Sequence, residues 1–570
     1  MNRTDFSGCG ESYIGQGQNV ESLFEQLKDY GRSGIYPCHM PGHKRHGMGV
    51  LPEPLAELDI TEVEGFDNLH QPEGILQELQ QYAAAAYGAE ETYYLVGGST
   101  CGILSAVSAA VPRGGRLLIA RNCHKSIYHA AYLRQLQLSY LYPGQLPEAD
   151  ICEAITARQV QEALESEQGI QGVLIVSPTY EGRIAEVEEI ARIVHGYGIP
   201  LIVDEAHGAH LGFHPAFAQG SSRAGADLVV TSVHKTLPAM TQTALLHVNG
   251  QLVDRRLLRR FLQIYQSSSP SYVLMASIDN AVHLAREEGR QLLQRMTENW
   301  SRMLRQLSDC RALSIWPPAS LAQTEYQKHQ DIGKLIISVK NAEMTGQELY
   351  RELLEKFGLQ MEMACDSYVL AMFTIGDEAQ GYERLTEALL EIDNSMQKTK
   401  ARQTRLVEDM AIAQTEARGT KLTGARAIAQ TEVSRTKLAE DRTIAQTEAR
   451  EIKLAESTEI LQAEASETKR TESVWVAVQN CPQHRDRKAL SECWDQPVEW
   501  IALKDAVGRY AGEFVNIYPP GTPILVPGER MEEADRRLIA QYLKDGLKVQ
   551  GITRQDGEPG LAVLTETVLG

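Results

Sequence analysis

Six short apolar runs between Glu91 and His247, with helix-like stretches between several of them, constrain the fold of this chain more than any other feature. The runs are ETYYLV, RLLIA, GVLIVS, PLIVDEA, DLVVTSV and TALLHV. Each is too short to cross a bilayer, and each reads as a strand buried on both faces. Amphipathic segments such as Ala185 to Tyr197 supply helices to cover them. The alternation predicts an α/β fold around a mostly parallel sheet, with ligands expected in the loops at the carboxyl ends of its strands.

After Ser271 the pattern is helical through roughly Leu307. A smaller α/β unit follows: the strand IGKLIISV, a helix beginning near Thr345, an extended stretch from Leu359 to Phe373 and a helix to about Ile392. From Ser395 to Ser473 the chain changes character, with five units sharing a period of sixteen residues, clearest in AIAQTEVSRTKLAEDR. Each unit has one or two large apolar side chains and no aromatic one, so stacked units would have little core to bury. Ile412, Leu422, Ile428 and Leu438 hold no constant helical face, and sustained heptads are absent. This segment is expected to be an insertion, helical or disordered, without catalytic chemistry. Globular composition returns from Val474, and the Pro-rich run from Asn516 to Glu529 is its landmark. The expected division is an N-terminal segment 1–60, a large domain 61–300, a small α/β domain 301–394, the repeat insertion 395–473 and a C-terminal domain 474–570.

Charge and cysteine usage narrow the function. A formal net charge of -19 excludes nucleic acid or an anionic membrane as the main partner. The nine cysteines form no C-x-x-C pair, which suits a reducing compartment and offers neither a zinc site nor a disulfide framework. The N-terminus lacks the apolar core of a signal peptide, and a cytoplasmic protein is expected.

Three segments carry chemistry, each near the end of an expected strand. Gly97-Gly98-Ser99-Thr100 lies between a strand and a helix, where small residues and free N–H groups favour an anion; a plain helix cap has the same appearance. Asp204-Glu205-Ala206-His207 ends the strand PLIVDEA. The same four letters occur in helicases, but those enzymes need a G-x-x-x-x-G-K-[ST] loop that this chain lacks. What remains is a carboxylate at a strand end, suited to keeping a pyridine nitrogen protonated. Ser232-Val233-His234-Lys235 follows the strand DLVVTS, where partial desolvation would make the lysine a nucleophile towards an aldehyde. A lysine snorkelling from a strand end is the blander reading of that segment alone.

A phosphate turn, an Asp ending one strand and Ser-x-His-Lys after a later one occur here in the order found in fold-type-I pyridoxal phosphate (PLP) enzymes, which the chain resembles. More narrowly, it resembles the ornithine/lysine/arginine decarboxylase family in its short form. That likeness rests on His39-Met40-Pro41-Gly42-His43-Lys44, Asp59-Ile60-Thr61-Glu62-Val63, Leu69-His70-Gln71-Pro72-Glu73-Gly74 and Asn122-Cys123-His124-Lys125-Ser126. It rests also on Ser267-Ser268-Ser269-Pro270, Gly508-Arg509-Tyr510-Ala511-Gly512-Glu513-Phe514 and Tyr518-Pro519-Pro520-Gly521.

The resemblance implies a fold-type-I large domain, a smaller α/β domain, a small C-terminal domain and PLP held as a Schiff base on Lys235. It implies that Asp204 pairs with the pyridine nitrogen, that His124 stacks on the ring, and that Ser99, Thr100, Ser232 and His234 hold the phosphate. His207 would lie near the cofactor or steady the Asp204 loop, and Ser268 or a neighbouring serine would reach the phosphate of an adjoining subunit. Glu513 is the implied candidate for substrate recognition. The activity implied is decarboxylation of a basic amino acid, arginine to agmatine first, with lysine or ornithine as alternatives. A PLP aminotransferase or lyase, and an idle homologue with a scaffold role, remain the rival readings. A homodimer or dimer of dimers with shared active sites is the implied assembly.

Overall fold

The computed structural model describes residues 22–319, 328–399, 401–402, 405, 485–517, 522–544 and 546–565. The repeat units beyond residue 405 and the Tyr518–Gly521 motif lie outside the described residues. The helix expected to end near Ile392 runs over 379–399.

A seven-stranded sheet forms the centre of the large domain. Its strands are β1 (Glu91–Leu95), β2 (Arg116–Ala120), β3 (Gln137–Leu141), β4 (Ile170–Val176), β5 (Leu201–Asp204), β6 (Leu228–Thr231) and β7 (Ala244–Val248). They lie in the order β1-β7-β6-β5-β4-β2-β3. From β3 to β6 neighbours are parallel, and β7 runs antiparallel to both β6 and β1. The fold is thus the mixed α/β class expected, and all six apolar runs are strands of this sheet. The seventh strand, β3, escaped the sequence reading because it is an edge strand: QLSYL is half exposed and lacks the continuous apolar signal of its neighbours.

Successive residues of each strand feed opposite cores, as the pleat requires. Leu117 and Ile119 pack with Leu174, Ile202 and Leu246 on one face. Leu118, Val173, Ile175 and Val203 pack on the other face with Ile190 and Val194, from the helix Val187–Gly196. Helix α1 (Gly98–Ala110) lies on the first face, and Gly102 sets how closely it approaches. A Cβ there would sit 2.5 Å from Leu95 Cδ1 and 3.0 Å from Val230 Cγ1.

The chain winds from β2 outward to β3, then crosses back to β4 and continues the other way to β6. The loops after β2 and β4 therefore diverge, and a crevice opens at the carboxyl ends of β2, β4 and β5. The small domain closes one side of it with a four-stranded antiparallel sheet of β8 (Ser314–Trp316), β9 (Lys334–Ser338), β10 (Met363–Ala364) and β11 (Tyr368–Met372). The helix expected near Thr345 spans Gly346–Phe357, and Thr345 and Glu348 form a capping box at its start.

The C-terminal residues form two three-stranded antiparallel sheets that pack beside β2. Arg121, one residue past β2 and 1% exposed, enters this unit and donates to the carbonyls of Pro523 (2.8 Å) and Ile524 (3.2 Å) and to Glu529 (3.1 Å). Arg485 joins the same buried cluster, 3.6 Å from Glu529 and 2.7 Å from Asp535. Among the described residues, no helix is long and apolar enough to cross a membrane.

Candidate active site

A cavity of about 630 Å³ opens in the crevice, and the strand ends deliver their chemistry into it. Helix α1 starts directly after β1, with Gly98 at φ +73°, a left-handed conformation that favours glycine. Its N-cap, Gly97, has no side chain to satisfy the first-turn N–H groups, which stay available to an anion. The Ser99 hydroxyl hydrogen-bonds to that of Ser232, which leaves β6 from the neighbouring part of the sheet. His234 donates Nδ1–H to the Thr243 carbonyl at 2.8 Å, leaving Nε2 for the cavity. Burial holds this imidazole below its ordinary pKa.

Asp204 is the last residue of β5 and only 5% exposed. One carboxylate oxygen accepts from the Ala206 N–H at 3.2 Å, while the side chain lines the cavity. Burial pushes its carboxyl upward, and nearby Lys235 pulls it back in part. A cationic ring nitrogen in the cavity would complete that compensation. His124 caps the helix Lys125–Arg134, its Nδ1 accepting from the Ser126 N–H at 3.2 Å, so the proton of the neutral ring sits on Nε2. Burial, aided by the Lys235 charge, lowers His124 to about 4 and keeps it neutral near pH 7.

Lys235 lies in the single helical turn Val233–Thr236 after β6. Its Nζ is 3.2 Å from His207 Nε2, and on the other side of the same imidazole Lys334 Nζ is 3.0 Å from Nδ1. A neutral imidazole has one donor and one acceptor nitrogen, so both lysines cannot donate to it as ammonium ions. Burial lowers both amines, Lys334 to about 8, although Asp331 raises Lys334 and Asp204 raises Lys235. His207 is itself held well below its ordinary pKa by burial and by the two lysines. Three residues on, His210 turns away to Asp331 at 3.1 Å.

Ser99, Thr100, His124, Asp204, His207, Ser232, His234 and Lys235 all line this cavity. Ser268 and Glu513 are not among its described lining residues. The Ser267–Ser269 loop is exposed and tied to the Leu69–Gly74 motif, with the Ser267 carbonyl 2.7 Å from His70 Nε2. Glu513 accepts from Trp494 Nε1 at 3.1 Å in the C-terminal domain. The structure also brings in residues that the sequence reading passed over. Lys334 arrives from β9, and Glu362, just before β10, lines the cavity and accepts from the Tyr180 hydroxyl. Thr522 enters from the C-terminal domain, 3.4 Å from the Asn122 carbonyl. Only Lys334 left a signal in sequence, a lysine inside the apolar strand GKLIIS.

Comparison with known proteins agrees with this geometry. Residues 21–380 match the model of the Orn/Lys/Arg decarboxylase major domain, and residues 469–552 match that of the C-terminal domain of the same enzymes. An arginine decarboxylase of Bacillus subtilis is 30% identical over 546 residues, covering 94% of this chain and 96% of that protein. Another, of Bacillus anthracis, is 29% identical over 538 residues, covering 93% and 94% respectively. The lysine decarboxylase of Francisella novicida shares the fold, with a TM-score of 0.74 over 96% of this chain and 82% of that one, at 16% identity. A chain matched over both domains, with a lysine, a buried aspartate and an anion cradle at one crevice, belongs to the Orn/Lys/Arg decarboxylase family of pyridoxal-phosphate-dependent enzymes.

Proposed function

We propose that this chain converts arginine to agmatine and CO2, with Lys235 as the cofactor anchor. The observation that carries the reading is the convergence of Lys235, Asp204, His124 and the Ser99–Ser232 cradle on one cavity. The α1 amides, Ser99, Thr100, Ser232 and His234 would hold the phosphate, and Asp204 would pair with the ring nitrogen. His124 would lie against the ring, as a neutral imidazole. When bound, pyridoxal phosphate supplies an electron sink for the pair left at Cα as CO2 departs. The chain's residues would hold the substrate so that the carboxylate bond is the one aligned for cleavage, and the Lys235 amine would hold a proton beside Cα. His207 positions that amine. Arginine is placed first because relatives matched along nearly their whole length are named arginine decarboxylases.

The enzyme works as a homodimer or dimer of dimers in the cytoplasm. Support for self-association comes from large apolar side chains left exposed along one segment: Tyr36 is 72% exposed, Met48 79% and Val50 84%. The seven described cysteines are all free thiols, in keeping with a reducing compartment.

Incubation with arginine, lysine and ornithine, with amine, CO2 and keto acid quantified, tests the activity. Agmatine and CO2 in equal amounts without keto acid are expected. Keto acid without CO2, or no product from any of the three, overturns the reading.

A further inference from the structure

We propose that Lys334 is a positioning residue for Lys235: as an ammonium ion it donates to His207 Nδ1, fixes the ring proton on Nε2 and so holds Lys235 as a neutral amine. The inference rests on the reading of Lys235 as cofactor anchor and adds what keeps that amine ready. Lys334 belongs to β9, a strand buried at every position, and is itself 1% exposed. An ammonium taken out of water in this way needs hydrogen-bond partners and counter-charge. Its stem is seated against Gly182, where a Cβ would come within 2.7 Å of Lys334 Cγ. Lys334 is not among the described residues lining the cavity, and its Nζ ends 3.0 Å from His207 Nδ1. It therefore reaches the chemistry through the imidazole.

The ring permits two arrangements. In one, Lys334 donates to Nδ1, and Nε2–H donates to the lone pair of Lys235. In the other, Nδ1–H donates to a neutral Lys334, and Lys235 donates to Nε2. The surrounding charges choose the first. Asp331, Glu362 and Glu181 raise Lys334, whereas Asp204 and Glu362 raise Lys235, so Glu362 is common to both ends. Burial pushes the Asp331 carboxyl up, but His210, Lys334 and the Gly333 N–H hold it below its ordinary value, and it stays an anion. Burial leaves Asp204 above its ordinary value, and the cofactor ring nitrogen is its proposed partner. The dependable negative charge thus lies at the Lys334 end. Burial, the two lysines, His124 and His210 all disfavour a second proton on His207 itself. Tyr180 packs edge-on against the imidazole, with ring centroids 4.9 Å apart, which holds the ring in place between the lysines. A proton kept on Lys334 repels one on Lys235, so Lys235 is a free amine at lower pH and a readier proton donor when charged. Because burial lowers Lys334 to about 8, the arrangement holds at neutral pH and fades as the pH rises through that value.

Nitrogen NMR of the full-length, histidine-labelled, cofactor-free protein reads the tautomer directly, with the His207 signals identified by their loss in His207→Gln. Near neutral pH the wild type is expected to carry the ring proton on Nε2, and Lys334→Met to lose that preference. A His207 proton on Nδ1 in the wild type overturns the assignment, and this result needs no Lys334 variant to fold. The consequence for Lys235 is read by the rate at which cofactor-free protein takes up pyridoxal phosphate across a pH series, each sample being fixed with borohydride and mapped. Lys334→Met should shift the uptake profile to higher pH, and Lys334→Arg, which keeps a cation facing Nδ1, should return it towards the wild type. An unshifted profile in Lys334→Met also overturns the assignment. Label recovered in the wild type on a lysine other than Lys235 removes instead the anchor reading on which the assignment rests.

Discussion

The imidazole of His207 has two lysines and only two nitrogens, and this shortage of acceptors gives the site its proton chemistry. A proton on one lysine disfavours a proton on the other, both by repulsion and through the tautomer of the ring between them. Asp204 and Glu362 act on the Lys235 end, Asp331, Glu362 and Glu181 on the Lys334 end, and His124 and His210 face the ring itself. Lys334→Met is therefore expected to move the pH at which Lys235 becomes a reactive amine upward. Acetylation of the cofactor-free protein across a pH series, read at Lys235 by mass spectrometry, measures this. In a His207→Phe background the same substitution should move it much less if the ring carries the coupling. Asp204 answers to a different demand. Asp204→Asn keeps the shape but removes the charge proposed to pair with the ring nitrogen, and kcat should fall roughly 10²-fold or more while phosphate-dependent cofactor binding persists. Stopped turnover with retained cofactor absorbance is the signature to look for.

At the scale of elements, the sheet decides what can meet. The apolar runs made the α/β class legible, because strands buried on both faces leave a strong signal, whereas the half-exposed β3 left little. Lys235, Asp204 and the Ser99 turn were readable for the same reason: each sits within a few residues of a strand end. Glu362 left no such signal, and Lys334 only that of a lysine inside an apolar strand, since β9 and the segment before β10 reach the crevice only through packing of the small domain. Periodicity carries no record of contacts across more than 100 residues, such as that of Lys334 with His207, 127 positions apart. The seat of α1 shows how local sequence and packing combine. Gly102→Ala would press a Cβ to 2.5 Å from Leu95 Cδ1, and the shift needed to relieve it should cost about 1–3 kcal/mol. A lowered midpoint of thermal inactivation, accompanied by weaker cofactor retention because α1 also carries the phosphate cradle, is the expected result.

Across the whole molecule, the C-terminal unit is fastened to the catalytic domain next to the residues that enter the cavity. Arg121, Arg485, Glu529 and Asp535 form a buried charge cluster one residue from Asn122 and three from His124. Removing one partner from such a cluster leaves an uncompensated buried charge and typically costs about 3–5 kcal/mol. Glu529→Gln should therefore loosen the docking of this unit, seen as faster hydrogen exchange in Pro523–Leu525 and in the loop after β2. Cofactor binding should weaken with it, since His124 and Thr522 are displaced together. The proposed self-association is tested at this scale as well. Met48→Glu combined with Val50→Glu should lower the mass measured by light scattering towards that of a single chain of 63.3 kDa.

Lys235 is proposed as the covalent anchor of the cofactor, and Lys334, on the far side of the same imidazole, is the competing amine. Borohydride reduction of the holoenzyme followed by peptide mapping decides between them most directly. A phosphopyridoxyl group is expected on the peptide containing Lys235, and its loss in Lys235→Ala together with turnover. A group fixed to Lys334 in the wild-type enzyme, or full turnover in Lys235→Ala, would contradict it.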